Sequence, residues 1–566
     1  MSGFDTIARA IAEIGSRFPD NGYTFQDMAG VETRYGFPAI EQATAARAAA
    51  IQSMGLKKGD RLGLIIVEPE DFVLTFLAAM RVGVIPVPLY PPLSLGNLDA
   101  YADRTARILD VSGATVLIVS PRLQNLLWSQ VDKVPGLTRL VVADRLGDFK
   151  GAPTYPDISP EDIAFLQYTS GSTADPKGVI VTHANLVANI ECIVLGLNLS
   201  PHDDTGVSWL PLYHDMGLIG FVLVTIYRGV NTVFIPTVRF IRRPWAWLDT
   251  IHRHRGTISF APNFAYALVT RKCTPERMAA WDLSCVKAFG CGAEPIHPET
   301  MEAFTRQFSE HCGLPETAIL PAYGMAEFTL CVSMKPLADR FRVHGENIAC
   351  GRGFPEHAIA VLDEDGTPLP EGQEGELCLK GPSVSPGYFQ DPERTAATFR
   401  DGWLHTGDLG YLHDGQVHVT GRIKDLVILN GRNLHPQSIE WVAAEVDGVR
   451  KGNVVAFSRP DEHSEALVIA METRAEDAEA LTKAVKKAVS RSLGVTVSDV
   501  VCLPPGTLPK TSSGKLQRRK TREQYLEARL GTEGSRSADS AADRVTLARH
   551  MARSIWTRAK VTVGNK

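Results

Sequence analysis

From residue 39 onward, apolar runs of three to seven residues alternate with stretches of helical pattern, and this alternation limits the possible folds more than any other feature. Residues 39–54 read as an Ala-rich helix stopped at Gly55, and residues 61–67 as a short buried strand. Further runs of the second kind are 115–119, 140–142, 232–235, 257–260 and 286–289, with helical stretches such as 244–255 and 262–271 between them. The pattern predicts an α/β fold of mostly parallel sheets covered by helices. After about residue 358 the texture changes to short runs broken by Gly, Asp and Pro turns, which predicts a β-rich subdomain over about 352–421 closing a large domain, 1–421. A smaller α+β pattern then fills 422–530, and 531–566 reads as a polar linker and a tail helix with Leu547, Met551 and Ile555 on one face and Arg549 and Arg553 elsewhere on the turn.

With 566 residues, 44% hydrophobic, the chain can bury several cores, and a net charge of -5 gives it no general attraction for nucleic acid or anionic lipid. Nine scattered cysteines without a C-x-x-C pair point to reduced thiols and a cytoplasmic protein. The N-terminus lacks the pattern of a signal peptide, and the longest apolar run, 217–226, is about half of a membrane span, so no integral membrane segment is expected.

One loop is rich in donors and poor in bulk: YTSGSTADPKG, residues 168–178. It is not a Walker loop, because Lys177 precedes Gly178 and Pro176 stiffens the turn. Backbone N–H groups freed by Gly171 and Gly178, the hydroxyls of Thr169, Ser170, Ser172 and Thr173, and the charge of Lys177 could wrap a pyrophosphate. By composition alone a solvated turn fits equally well.

The loop as a whole resembles the phosphate loop of the adenylate-forming superfamily, and four further stretches resemble the same superfamily in the expected order. Gly292-Ala293-Glu294-Pro295, followed by Ala322-Tyr323-Gly324-Met325-Ala326-Glu327, resembles its adenine site. The resemblance implies a purine against Tyr323 and magnesium held by Glu327, and a carboxylate beside a triphosphate does call for a divalent cation. Thr406-Gly407-Asp408-Leu409 implies that Asp408 accepts from both ribose hydroxyls. Gly421-Arg422-Ile423-Lys424-Asp425 implies a ribose contact from Arg422 and a hinge at Lys424 about which the small domain moves. Pro509-Lys510-Thr511-Ser512-Ser513-Gly514-Lys515 implies that Lys515 bridges the attacking carboxylate and the α-phosphate.

Within the superfamily the chain is most similar to the fatty acyl-AMP ligases: Pro321, Ala326, residues 240–268 and the stretch 431–440 carry that likeness. Two departures stand out. Ala174 replaces the usual glycine of the phosphate loop, and the interval from Glu327 to Gly351 is shorter than in many acyl-AMP ligases, which carry an insertion there. The shortened interval leaves CoA open as acceptor. The resemblance implies an acyl tunnel with His214 at its mouth, lined by Phe240, Phe260, Phe264, Tyr266 and Gly290. Adjacent Tyr213, His214 and Asp215 are not expected to face one another as a hydrolase triad would. The implied activity uses ATP and Mg2+ to turn a fatty or related carboxylic acid into acyl-AMP. Transfer to the thiol of an acyl carrier protein or polyketide synthase carrier domain follows, with CoA as the alternative acceptor and an inactive adenylate-binding module as a rival of a different class.

Overall fold

The structure is a computed structural model describing residues 3–92, 98–128, 132–169, 176–429, 432–460, 465–511 and 514–531. Except for Gly531, the linker and tail helix expected over 531–566 lie outside the described residues, as do Ser170, Gly171, Ser172, Thr173, Gly431, Ser512 and Ser513.

Six strands form a parallel array: Gly22–Gln26, Asn231–Phe234, Thr205–Ser208, Ile258–Ala261, Ala288–Cys291 and Ile319–Gly324, in that spatial order. Antiparallel strands at both edges extend it to nine. Strands Ile85–Pro88, Arg61–Ile65, Val116–Val119 and Arg139–Val142 make a second sheet, parallel throughout. The run at 61–67 feeds helix Pro69–Arg81, which has proline in its first turn and Glu70 and Asp71 beside its positive end. The Ala-rich helix spans Phe37–Ser53, and the chain leaves it through Gly55 at φ +91, a conformation glycine adopts freely. One continuous apolar cluster, from Ile7 and Phe37 through Leu62, Phe165 and Trp247 to Phe304, fuses the sheets and their helices into one body.

The β-rich part is antiparallel: Ala358–Leu362, Gly375–Lys380 and Trp403–His413 pair in sequence, with Gln416–Arg422 folding back on the last. A three-stranded sheet, Val449–Pro460, Glu465–Thr473 and Val497–Leu503, lies near the C-terminus. Its alternation is plain: Val454, Ala456, Leu467 and Ile469 face a cluster with helices Pro436–Ala444 and Ala478–Leu493, whereas Val455, Phe457, Val468 and Ala470 face a smaller one with Leu508. Among the described residues, no helix is long and apolar enough to cross a membrane.

Candidate active site

In a parallel sheet the strands' carboxyl ends share one edge, and loops leaving that edge converge. Here the loops after Ser208, Ala261, Cys291 and Gly324 bring His214, Phe264, Glu294 and Glu327 to one cavity of about 2450 Å³, closed on its other side by the small C-terminal sheet and its loops. Close backbone approach fixes the first two motifs. A Cβ on Gly292 would lie 2.9 Å from the Ala322 carbonyl oxygen, and one on Gly324 would lie 2.1 Å from that of Leu330. Ala293, between Gly292 and Glu294, holds φ +69, a left-handed conformation costly for a residue with a Cβ.

Tyr323 and Asp408 meet across the cavity, the tyrosine hydroxyl donating to Oδ2 at 2.8 Å. The other oxygen, Oδ1, accepts from Arg422 Nε at 2.8 Å, because Asp408 and Arg422 stand opposite each other on paired strands. The buried Asp408 thus has two donors; its charge holds Arg422 above the ordinary arginine range, and burial together with Asp408 pushes the Tyr323 phenol up. The turn presenting Asp408 has its own supports. Gly407 takes φ +70 and donates its N–H to Glu376 Oε1 at 2.8 Å, while Glu376 Oε2 lies 2.8 Å from His405 Nδ1. Glu376, Cys378 and His405 have ligand-type atoms within 4.8 Å of one another, but both Glu376 oxygens are committed to the turn.

Glu327 follows strand Ile319–Gly324 on a short helical turn, and its Oε1 accepts from the Tyr388 hydroxyl at 2.8 Å. Its Oε2 has no hydrogen-bond donor among the described residues. Lys177 lies with its ammonium 5.1 Å from the centre of the Tyr388 ring; burial lowers its pKa, and Glu327 opposes that shift. Of the phosphate loop, the structure therefore places Lys177 beside Glu327. Ser170, Gly171, Ser172 and Thr173 lie outside the described residues, as does the side chain of Thr169.

Lys515 comes from the small body. Its loop is a tight hairpin: Thr511 N–H donates to the Lys515 carbonyl at 2.7 Å, and Gly514 sits at φ +95 against the Phe264 ring. Burial lowers the Lys515 pKa, opposed by Asp215 first and Glu294 next. Glu294 also accepts the Phe264 N–H at 2.7 Å, and burial raises its carboxyl. Lysine, Tyr323 and Asp408 line the same cavity.

One expectation is corrected here. His214 Nδ1 and Asp215 Oδ1 lie 2.6 Å apart, although the residues are neighbours. His214 is still extended, at φ -107 and ψ 142, whereas Asp215 opens a helix, so the chain turns between them and the side chains converge. No serine nucleophile joins the pair in the described contacts, and a hydrolase triad is still not formed.

The tunnel assignments divide. Phe260 and Phe264 line the cavity. Gly290 sits behind Phe260: a Cβ there would be 2.0 Å from the ring. Phe240 and Tyr266 do not line it. Phe240 is fully buried and stacks on Trp209 with ring centres 3.7 Å apart, and Tyr266 is core, its hydroxyl donating to the Gly290 carbonyl at 2.7 Å. The sequence reading missed Gly220, Phe221 and Val224, which line the cavity from one face of a helical segment. Their helical spacing within the run 217–226 was the available signal.

Lys424 occupies a single turn, Ile423–Asp425, between the two bodies, where burial first and Arg422 next lower its pKa. The contacts across this junction are polar: His435 Nε2 to Glu374 Oε1 at 2.9 Å, Ser438 to Glu346 at 2.8 Å, and Gln437 to the Thr420 carbonyl at 3.0 Å. His297 and Trp441 add a tilted ring contact at 4.8 Å. Arg518 joins Asp425 at 3.0 Å and Glu440 at 2.7 Å, tying the segment of Lys515 to the junction.

A family model of AMP-binding enzymes matches residues 15–389. The chain belongs to the AMP-binding enzyme family. It is similar to a Caulobacter vibrioides protein provisionally named an acyl-CoA synthetase, 37% identical over 85% of this chain and 88% of the relative. It is also similar to the long-chain-fatty-acid–AMP ligase FadD32 of Mycolicibacterium smegmatis, 33% identical over 87% of this chain and 89% of that one. A solved structure from work on the fatty acyl-adenylate ligases of E. coli and L. pneumophila superposes with a TM-score of 0.87 at 34% identity, covering 93% of this chain and 98% of the other. This AMP-binding enzyme therefore shares the adenylation architecture along nearly its whole described length.

Proposed function

We propose that this AMP-binding enzyme is a cytoplasmic fatty acyl-AMP ligase that passes its product to the phosphopantetheine thiol of a carrier protein. The observation that carries the reading is the delivery of Lys515, from the small body, into the cavity of Tyr323, Asp408 and Glu327. Two anions, a carboxylate and a triphosphate, must be brought together, and a buried ammonium in a pocket that excludes water stabilises the charge that builds up on phosphorus.

In the first half-reaction the ribose hydroxyls donate to Asp408 with Arg422 alongside, and the adenine lies between Tyr323 and the backbone of Gly292 to Pro295. An oxygen of the fatty carboxylate bonds to the α-phosphorus, the bond to the β-phosphate oxygen breaks, and pyrophosphate leaves with that electron pair. Glu327 is suited to a magnesium ion: one oxygen is held by Tyr388 and the other faces no donor among the described residues. Bound there, the ion would neutralise phosphate charge next to the carboxylate. Thr169, Ser170, Gly171, Ser172, Thr173 and Lys177 would enclose the departing phosphates. The alkyl chain enters the apolar arm beside Phe260 and Phe264, where each buried methylene is worth about 0.8 kcal/mol. Movement about Lys424 then withdraws Lys515 and admits the thiol; the domain division at 421/422 follows the same logic.

The test supplies ATP, magnesium and a panel of fatty and aryl acids, detects adenylates by mass, then adds carrier protein or CoA in separate arms. Fatty acyl-AMP followed by loading of the carrier is the expected result. Adenylates of aryl acids alone, or efficient turnover with CoA alone, would replace the substrate or acceptor part of this reading.

A further inference from the structure

Activating a carboxylate requires no proton removal, but the transfer step does. A thiol attacking an acyl-AMP carbon must lose its proton, and neither Lys515 nor Asp408 is suited to accept it: the first is a cation and the second already has two donors. Resting on the ligase reading, we propose that His214 is the general base of the transfer half-reaction.

The geometry supporting this is the pairing of adjacent His214 and Asp215. Asp215 Oδ1, 2.6 Å from His214 Nδ1, accepts that N–H and fixes the tautomer, so the basic electron pair is on Nε2. Nε2 has no partner among the described residues, the ring is one-quarter exposed, and it lines the cavity. Asp215 is itself held by the Met216 N–H at 2.7 Å, so the carboxylate does not follow the ring's motion. Burial would raise the Asp215 carboxyl, but His214, Lys515 and the Met216 N–H together outweigh it and keep it ionised.

Asp215 therefore has two basic side chains near it, His214 and Lys515. With the small body in its present position, Lys515 is one of the charges that neutralise it. Once Lys515 withdraws, His214 is the partner that remains at Asp215. The thiol sulfur bonds to the acyl carbon, the acyl C–O bond breaks with AMP carrying its electron pair, and the thiol proton passes to Nε2.

The experiment separates the half-reactions with the full chain. Adenylate formation is followed by pyrophosphate release, and transfer by single-turnover thioester formation from supplied fatty acyl-AMP to pantetheine. His214→Ala should lower transfer by about a hundredfold, at least tenfold more than it lowers adenylate formation. Added imidazole should restore transfer and leave adenylation as it was, and a more acidic acceptor thiol should narrow the gap to wild type. His214→Gln, which can still donate to Asp215 but carries no basic nitrogen, should also be slow in transfer. Parallel loss of both half-reactions without imidazole rescue, or transfer indifferent to His214→Ala, would overturn the base assignment and leave the ligase reading intact. A wild-type enzyme that forms no acyl-AMP would remove both.

Discussion

The large and small bodies handle the same cavity by opposite means. In the large body one unbroken apolar cluster runs behind the loops that carry Tyr323, Glu294 and His214, so those groups are set by a packed interior. The small body has two thin clusters, one on each face of a three-stranded sheet, and at the junction it meets its neighbour mainly through polar contacts such as His435 to Glu374, Ser438 to Glu346 and Gln437 to Thr420, with the ring contact of His297 and Trp441 beside them. Polar contacts of this kind can be exchanged for water at little net cost, whereas an apolar interface would hold the bodies together. The difference teaches that, on the proposed reading, binding would be built on the fixed side and chemical switching on the replaceable one.

The most severe way to break this division is Lys515→Ala. Adenylate formation should fall by roughly 10² to 10³, read as pyrophosphate release, while transfer from supplied acyl-AMP falls far less; equal losses would show that the lysine acts in both positions of the small body. A change on the fixed side should behave differently. Gly290→Ala places a methyl where the Phe260 ring stands, 2.0 Å from its nearest atom, so the ring must turn toward the cavity. Overpacking of this kind costs about 1 to 3 kcal/mol in thermal unfolding, and the longest acid accepted should become shorter. An unchanged acid profile would mean that the apolar arm lies elsewhere.

The smallest effect belongs to the junction. His435→Ala removes a partly exposed pair with Glu374 and should change the balance between the two arrangements by about 0 to 1 kcal/mol, less at high salt. Burial would raise the Glu374 carboxyl, but His435 and Thr420 hold it below the usual carboxylate range. Its contribution is therefore complete above its ordinary pKa and lost as pH falls through the lowered one. The difference between wild type and His435→Ala, measured as protease sensitivity of the junction, should vanish in that acid window.

Much of this architecture was legible because the strands of a covered parallel sheet are short apolar runs, and runs near 61, 115, 140, 232, 257 and 286 became strands within two residues of their expected starts. Strand Gly22–Gln26 was not legible: it pairs with Asn231–Phe234 some two hundred residues away, and no local pattern announces such a partner. Within the site, motif residues such as Tyr323, Asp408 and Lys515 meet, as their family likeness implied. Phe240 and Tyr266 went astray because an aromatic side chain in a run says nothing about which side of the backbone it leaves. Tyr388, Glu376 and His405 were missed because their importance lies in single hydrogen bonds, to Glu327, Gly407 and Glu376 respectively, which no spacing encodes.

Asp408 is never left wanting: Tyr323 and Arg422 satisfy both of its oxygens from within the protein. On the proposed reading, a ribose arriving there would exchange donors instead of rescuing a stranded charge, so its hydroxyls would add selectivity without a large gain in grip. For a catalyst that must shed AMP at the end of each cycle, that moderation guards against product inhibition.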